Sequence, residues 1–311
     1  MILTAAFLLL TVTSAFFALR TAYFFVKLAL FAGMQKPLAA PLSRMLASFA
    51  LALVWASMAA AAVFASQMAA KTPLIKNENG ATPENSISEL IAVELNGRKE
   101  WISIRGWDKE KPVLLFLAGG PGGSQLAALR YEQGELEKHF VVVGWDQPGS
   151  AKSYGAVKTE DLTPLTYVED GLALTAYLKE RFSKEQIYLM GESWGSALGI
   201  FLIDMDPDSY AGFIGTGQMV AFLETETVDY ETAMAMAKEM GDSKTLSKLA
   251  ENGPPPYYGE DVTFKSAVYL NYLSSAMMRD PDIQNSGYET LRDIFSPEYG
   301  ILDKINYVRG I

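Results

Sequence analysis

The chain contains no cysteine, has one histidine (His139), and carries no acidic residue before Glu78. The first absence excludes a disulfide framework, thiolate metal sites and a cysteine nucleophile. A single histidine excludes a multi-histidine metal site, and no cofactor is expected. The third absence divides the chain. All 36 acidic residues follow Asn77, whereas six of the 26 basic residues precede Glu78, which leaves 20 bases and a formal charge of −16 on the remainder. So acidic a domain lacks the clustered Lys and Arg that phosphate binding needs, so nucleic acid is not an expected partner. Its charge favours cationic substrates over anionic ones.

The acid-free part is strongly apolar. Met1 to Leu19 has no charged side chain, and a second apolar run, Met45 to Met68, begins directly after Arg44. Each run meets the length of about 20 residues needed to cross a bilayer core. Between them lie Arg20, Lys27, Lys36 and Arg44, with Pro37 and Pro41 expected to break any helix near the connection. Residues 1–70 are therefore read as a membrane anchor of two transmembrane helices, the first reaching to about Gly33. A cleaved signal peptide fits poorly, because the N-terminus lacks a basic region and a second span follows. The basic connector belongs in the cytoplasm by the positive-inside rule, which places the rest of the chain outside.

Residues 71–85 are polar, with Pro73, Gly80 and Pro83, and read as a linker. Beyond them, alternating apolar and polar residues flank Asn96-Gly97, a strong hairpin signal. Short continuous apolar runs follow at Val113–Leu117, Phe140–Trp145, Gln186–Met190 and Ala211–Ile214. Such runs fit strands buried on both faces of a parallel sheet. Helical patterns lie between some of them, at Leu165–Phe182 after Thr163-Pro164 and at Ser196–Asp204. The class is α/β. After Gly217 the patterns at Glu224–Met240, Lys244–Leu249, Thr263–Met278 and Tyr288–Phe295 are all helical.

The chemistry concentrates at three strand ends. Gly191-Glu192-Ser193-Trp194-Gly195 fits G-x-S-x-G between a strand and a helix. In that setting the glycines permit a sharp turn that projects the serine hydroxyl at the carboxyl edge of the sheet. Ala118-Gly119-Gly120-Pro121-Gly122-Gly123 ends another strand, and its Gly120 N–H, with that of Trp194, is a candidate donor to a developing oxyanion. A phosphate cradle is the weaker reading, since no Gly-Lys-Ser/Thr follows and Pro121 removes a donor. At the third end, in "GWDQPGSAKS", Asp146 is read as a residue that orders neighbouring turns, with a catalytic acid as the alternative.

These motifs resemble the proline iminopeptidase-like branch of the α/β-hydrolases. AGGPGG, WDQPGS and GESWGS occur in that order, with GTGQ at Gly215 to Gln218 after the next strand. The likeness runs from about Ser86 to the end. The family has histidine at the position of Ala118 and glycine at that of Ala151. The resemblance implies an α/β-hydrolase core over 86–221 and an inserted helical cap over 222–311. It also implies a serine nucleophile, Ser193, supported by Gly119, Gly191 and Gly195, and a short peptide or an ester as substrate. Cap carboxylates hold the substrate's amino group in this family, and Glu224 and Glu226 are candidates by position. The family's catalytic Asp and His follow the cap on the last two strands. The expectation is thus an incomplete sheet and a C-terminally truncated hydrolase. An aminopeptidase is expected first, an esterase or lactonase second. A non-catalytic binding protein is the alternative of another class, because His139 lies at the wrong end of its strand to serve Ser193.

The anchor reading makes a direct prediction. The protein should stay with membranes after a high-salt wash, and protease added to intact cells should remove the part after residue 70. Cleavage seen only after lysis would reverse the orientation.

Overall fold

The computed structural model describes residues 2–258, 261–282 and 289–310. Two helices come first, α1 (Ile2–Gly33) and α2 (Ala39–Ala69). They pack together as a hairpin in which Phe24, Ala52 and Ala59 are buried and Ser14 Oγ donates to the Ala52 carbonyl at 3.0 Å. Many of their large side chains, such as Leu9 and Phe64, are exposed. Both helices are long and apolar enough to cross a membrane. Pro41 does not break α2. It stands in the first turn, where an N–H has no intrahelical acceptor to lose.

The segment after α2 has neither helix nor strand, and within it Thr72 and Ile75 are buried. Ile75 N–H donates to Ser88 Oγ at 3.1 Å, which lays the segment against the sheet.

The sheet opens with the hairpin β1 (Ile87–Leu95) and β2 (Arg98–Gly106). Asn96 and Gly97 both have positive φ, 50° and 78°, so the turn twists with its strands as Asn-Gly allows. Then come β3 (Val113–Leu117), α3 (Leu126–Glu132), β4 (Val141–Asp146), α4 (Pro164–Phe182), β5 (Ile187–Glu192), α5 (Trp194–Met205) and β6 (Tyr210–Thr216). The six strands lie in the order β1-β2-β4-β3-β5-β6. The hairpin is antiparallel, and β2 meets β4 antiparallel, whereas β4, β3, β5 and β6 run parallel. Thr163 caps α4, its Oγ1 accepting from Thr166 N–H at 3.3 Å.

Strand alternation assigns the two faces. Val113, Leu115 and Leu117 join Val141 and Val143 in one core with Leu174 and Leu178 of α4 and Leu198 and Leu202 of α5. Phe116 and Val142 point the other way, onto Leu129 of α3. Both faces of the central strands are therefore covered, which is why β3 is apolar throughout and β4 is apolar up to Asp146 at its end. Gly199 permits close packing here, since a Cβ would lie 3.0 Å from Cζ of Phe213.

The helical region divides in two. In the first part, α6 (Phe222–Glu239), α7 (Ser243–Asn252) and α8 (Val262–Met277) share a small core of Tyr230, Ala233, Leu249 and Tyr269. In the second, α9 (Thr290–Ile294) packs on α3, and α10 (Ile301–Arg309) packs on α2 and on the turn at 151–153. Tyr288, read as the start of a helix, lies outside the described residues.

Candidate active site

The close approach of β5 and α5 shapes the site. A Cβ on Gly195 would lie 2.6 Å from the carbonyl carbon of Leu117 and 2.8 Å from the oxygen of Ala118, both at the end of β3. A Cβ on Gly191 would lie 2.6 Å from the carbonyl carbon of Gly195. No side chain fits at either place, so the chain reverses within one residue. That residue is Ser193, at φ 51° and ψ −120°. Such a conformation costs about 1–3 kcal/mol in a non-glycine residue and persists only where its surroundings impose it. The surroundings are specific. Ser193 N–H donates to the Thr216 carbonyl at 2.9 Å, and Ser196 Oγ donates to the Ser193 carbonyl at 2.6 Å. The Ser193 side chain is exposed at the carboxyl edge of the sheet.

The glycine-rich loop lies alongside. A Cβ on Gly119 would stand 3.5 Å from Ser193 Cβ, and Gly123 N–H closes the loop on the Gly119 carbonyl at 3.2 Å. Gly120 and Gly122 have φ of 136° and 82°, which glycine adopts freely. Trp194 begins α5, so its N–H is one of the helix's first donors and has no intrahelical acceptor. Donors of this kind, beside a projecting hydroxyl, suit the oxygen of a tetrahedral intermediate.

Two glutamines join loop to elbow, and sequence reasoning assigned neither. Gln125 accepts from Gly119 N–H at 3.3 Å and donates to Glu192 Oε2 at 3.0 Å. Gln147 donates to the Ala118 carbonyl at 3.1 Å and accepts from Trp194 Nε1 at 3.2 Å. Gln147 stands inside the WDQPGS motif, so its position was the available signal. Asp146, fully buried, holds two further turns: one oxygen accepts from Ser124 Oγ and the other from Lys152 N–H at 3.1 Å. Burial raises its pKa to about 7, against the lowering effect of those two hydrogen bonds. Both of its oxygens are engaged in loop structure.

The remaining candidates stand on other elements. Glu224 is exposed on the first turn of α6, and Glu226 accepts from Tyr269 OH at 2.8 Å within the core of the three helices. His139 is exposed just before β4, at the amino edge of the parallel strands. Ser193 follows β5 at the carboxyl edge, so the length of a six-residue strand, about 20 Å, separates the two edges. A cavity of about 220 Å³ opens on the α3 side, lined by Phe116, Gln125, Leu129, Met190, Glu192 and Thr216 among others. Among the described residues no group of three or more His, Cys, Asp or Glu is placed to hold a metal ion.

The strand order, the covering helices on both faces and the strand–elbow–helix unit define an α/β-hydrolase fold. Comparison with known proteins agrees. Residues 136–284 match the family model described as serine aminopeptidase, S33. The chain is similar to the probable aminopeptidase YbaC of Bacillus subtilis, 34% identical over 168 residues, covering 54% of this chain and 52% of that protein. It is also similar to a proline iminopeptidase of Levilactobacillus brevis, 28% identical over 153 residues, covering 45% of this chain and 49% of that one. A proline iminopeptidase-related protein of Thermus thermophilus is a structural neighbour with a TM-score of 0.41 and 27% identity, over 47% of this chain and 50% of its own. The resemblance carried by the four motifs therefore holds. The chain spans about half the length of the curated relatives it matches.

Asp146 makes stability depend on pH. Its folded pKa of about 7 stands above its ordinary value of 3.8, so between those limits the folded protein binds more protons than the unfolded chain. Stability should fall as pH rises from about 4 through 7. Glu100, also raised by burial, adds to the same trend. Asp146→Asn should remove part of that slope in thermal denaturation measured across this range. An unchanged slope would show that Asp146 titrates normally.

Proposed function

We propose that this protein is a membrane-anchored serine hydrolase that releases N-terminal residues from short peptides through an acyl-enzyme. The observation that carries the reading is Ser193, held in a strained turn beside the glycine-rich loop. In the proposed reaction, Ser193 Oγ attacks the carbonyl carbon and its proton passes to a general base. The carbonyl oxygen takes up the negative charge and is met by the N–H groups of Gly120 and Trp194. Collapse expels the amine, which carries the proton away, and water then releases the acyl group. Residues 1–70 form the anchor, 71–85 the connection, 86–221 the core and 222–311 the cap, with the core outside the cytoplasm. The names of the matched relatives support the peptide substrate. Glu224 and Glu226 are proposed to receive the substrate's amino group.

The base is not His139. An imidazole must come within hydrogen-bond reach of the serine, and His139 stands at the opposite edge of the sheet. That placement also favours a second reading for these residues taken alone, a non-catalytic binding module.

Turnover of an amino-acid arylamide by the protein in its native membrane separates the readings. Ser193→Ala should lower the rate by orders of magnitude, as loss of an activated nucleophile does, and His139→Ala should leave it unchanged. Preference for a simple ester over the arylamide would favour an esterase. A rate untouched by Ser193→Ala would refute the assignment, and a rate lost with His139→Ala would make His139 the base.

A further inference from the structure

The end of α2 does not stop at the surface of the hydrolase domain. Ser66 Oγ, in the last turn of α2, accepts from Ile301 N–H at 2.9 Å. Gln67 Nε2 donates to Asp303 Oδ1 at 2.9 Å. Just beyond the helix, Lys71 N–H donates to the Pro297 carbonyl at 3.0 Å, and Thr72 Oγ1 donates to Glu298 Oε1 at 3.1 Å. All four bonds go to one segment, 296–303, more than 220 residues away in sequence. Ser66, Thr72, Glu298 and Asp303 are buried, so the bond between Thr72 and Glu298 is shielded from water, whereas Lys71 and Pro297 are exposed.

The same segment holds the loops of the candidate site. Tyr299 OH lies 2.5 Å from Ser124 Oγ, at the end of the glycine-rich loop. Ser124 Oγ also donates to Asp146, so Tyr299, Ser124 and Asp146 form one buried chain of hydrogen bonds. Asp303 Oδ2 accepts from Lys152 Nζ at 2.7 Å and from Gly300 N–H at 2.8 Å. Glu298 also pairs with Arg130 of α3 at 2.6 Å. At the far end of α10, the Gly310 carbonyl fills the place that a Cβ on Gly122 would need, at 2.7 Å.

We propose that Tyr299 is a positioning residue for the glycine-rich loop, and that the base of α2 positions Tyr299 by fastening the segment 296–303. The α1–α2 hairpin is then a structural part of the site as well as its anchor. The catalytic meaning of this rests on the serine hydrolase reading, but the mechanical coupling does not.

Gly300 supplies the test. It has ordinary backbone, φ −72°, and a Cβ there would lie 2.6 Å from Gln67 Cδ. Gly300→Ala should therefore push the segment off α2, and Gln67→Ala alone should loosen it by removing the bond to Asp303. Amide hydrogen exchange is measured on the whole protein in lipid nanodiscs. Gly300→Ala should speed exchange in 119–124 and 149–153 by about tenfold, the opening expected from loss of one or two buried hydrogen bonds. Gln67→Ala should speed exchange in the same segments by less, with β3, β5 and α8 unchanged throughout. Tyr299→Phe removes only the hydroxyl and should speed exchange in 119–124 alone. If Gly300→Ala unfolds the protein, Tyr299→Phe decides. Unchanged exchange at 119–124 in Tyr299→Phe, or at 149–153 in a folded Gly300→Ala variant, would overturn the proposal. Arylamide kinetics on Tyr299→Phe should show a lower kcat at constant KM. Absence of turnover in the parent protein would count against the hydrolase reading, while exchange would still decide the coupling.

Discussion

The contact between Gly195 and the end of β3 underlies the site. Because no Cβ fits there, α5 can start directly above the strand that carries the glycine-rich loop. One short distance thereby sets three features: the strained backbone of Ser193, the helix N-terminus at Trp194, and the nearness of Gly119 to the serine. The central strands must be buried on both faces to hold that distance, and β3, flanked by β4 and β5, is buried along its whole length. Helices α4 and α5 cover one face and α3 the other. The fold is thus a means of holding a strained turn in place from several directions.

Around that turn, polar side chains bind loops to one another. A buried polar group without a partner costs roughly 1–3 kcal/mol in proteins, so those that remain must be matched. Gln125, Gln147, Ser124 and Asp146 all meet this requirement by spanning two different strand ends. Ala151 shows another solution. It holds φ 28°, a conformation that favours glycine, and its methyl group is buried beside Leu126, Ala127 and Tyr299. That burial sets Ala151 against the same segment that joins the site to α2.

Much of this was legible in the sequence, because it rests on local rules. The Asn-Gly hairpin, the doubly buried strands, the Thr163 cap and the glycines around Ser193 each follow from neighbours within a few residues. The polar clamps were not legible. Gln125 meets Glu192, and Tyr299 meets Ser124, across sequence separations that no periodicity encodes. Helix α10 escaped for a related reason: it buries Asp303 and exposes Leu302 and Val308, the reverse of the pattern that marks a surface helix. Pro41 was read as a breaker because its place relative to the helix start decides its effect. The burial of Thr72 and Ile75 depends on partners far along the chain, so a polar stretch with two prolines looked like a free linker.

The central claim is that this strained turn makes Ser193 a nucleophile. The most direct measurement is the site of covalent capture. Native membranes are treated with a fluorophosphonate, and the protein is digested and mapped by mass spectrometry. The account predicts the phosphonyl group on the peptide containing Ser193, at that residue and not at Ser196 or Ser124. An adduct confined to another serine, or none on Ser193 while other serine hydrolases in the same membranes are labelled, would contradict it.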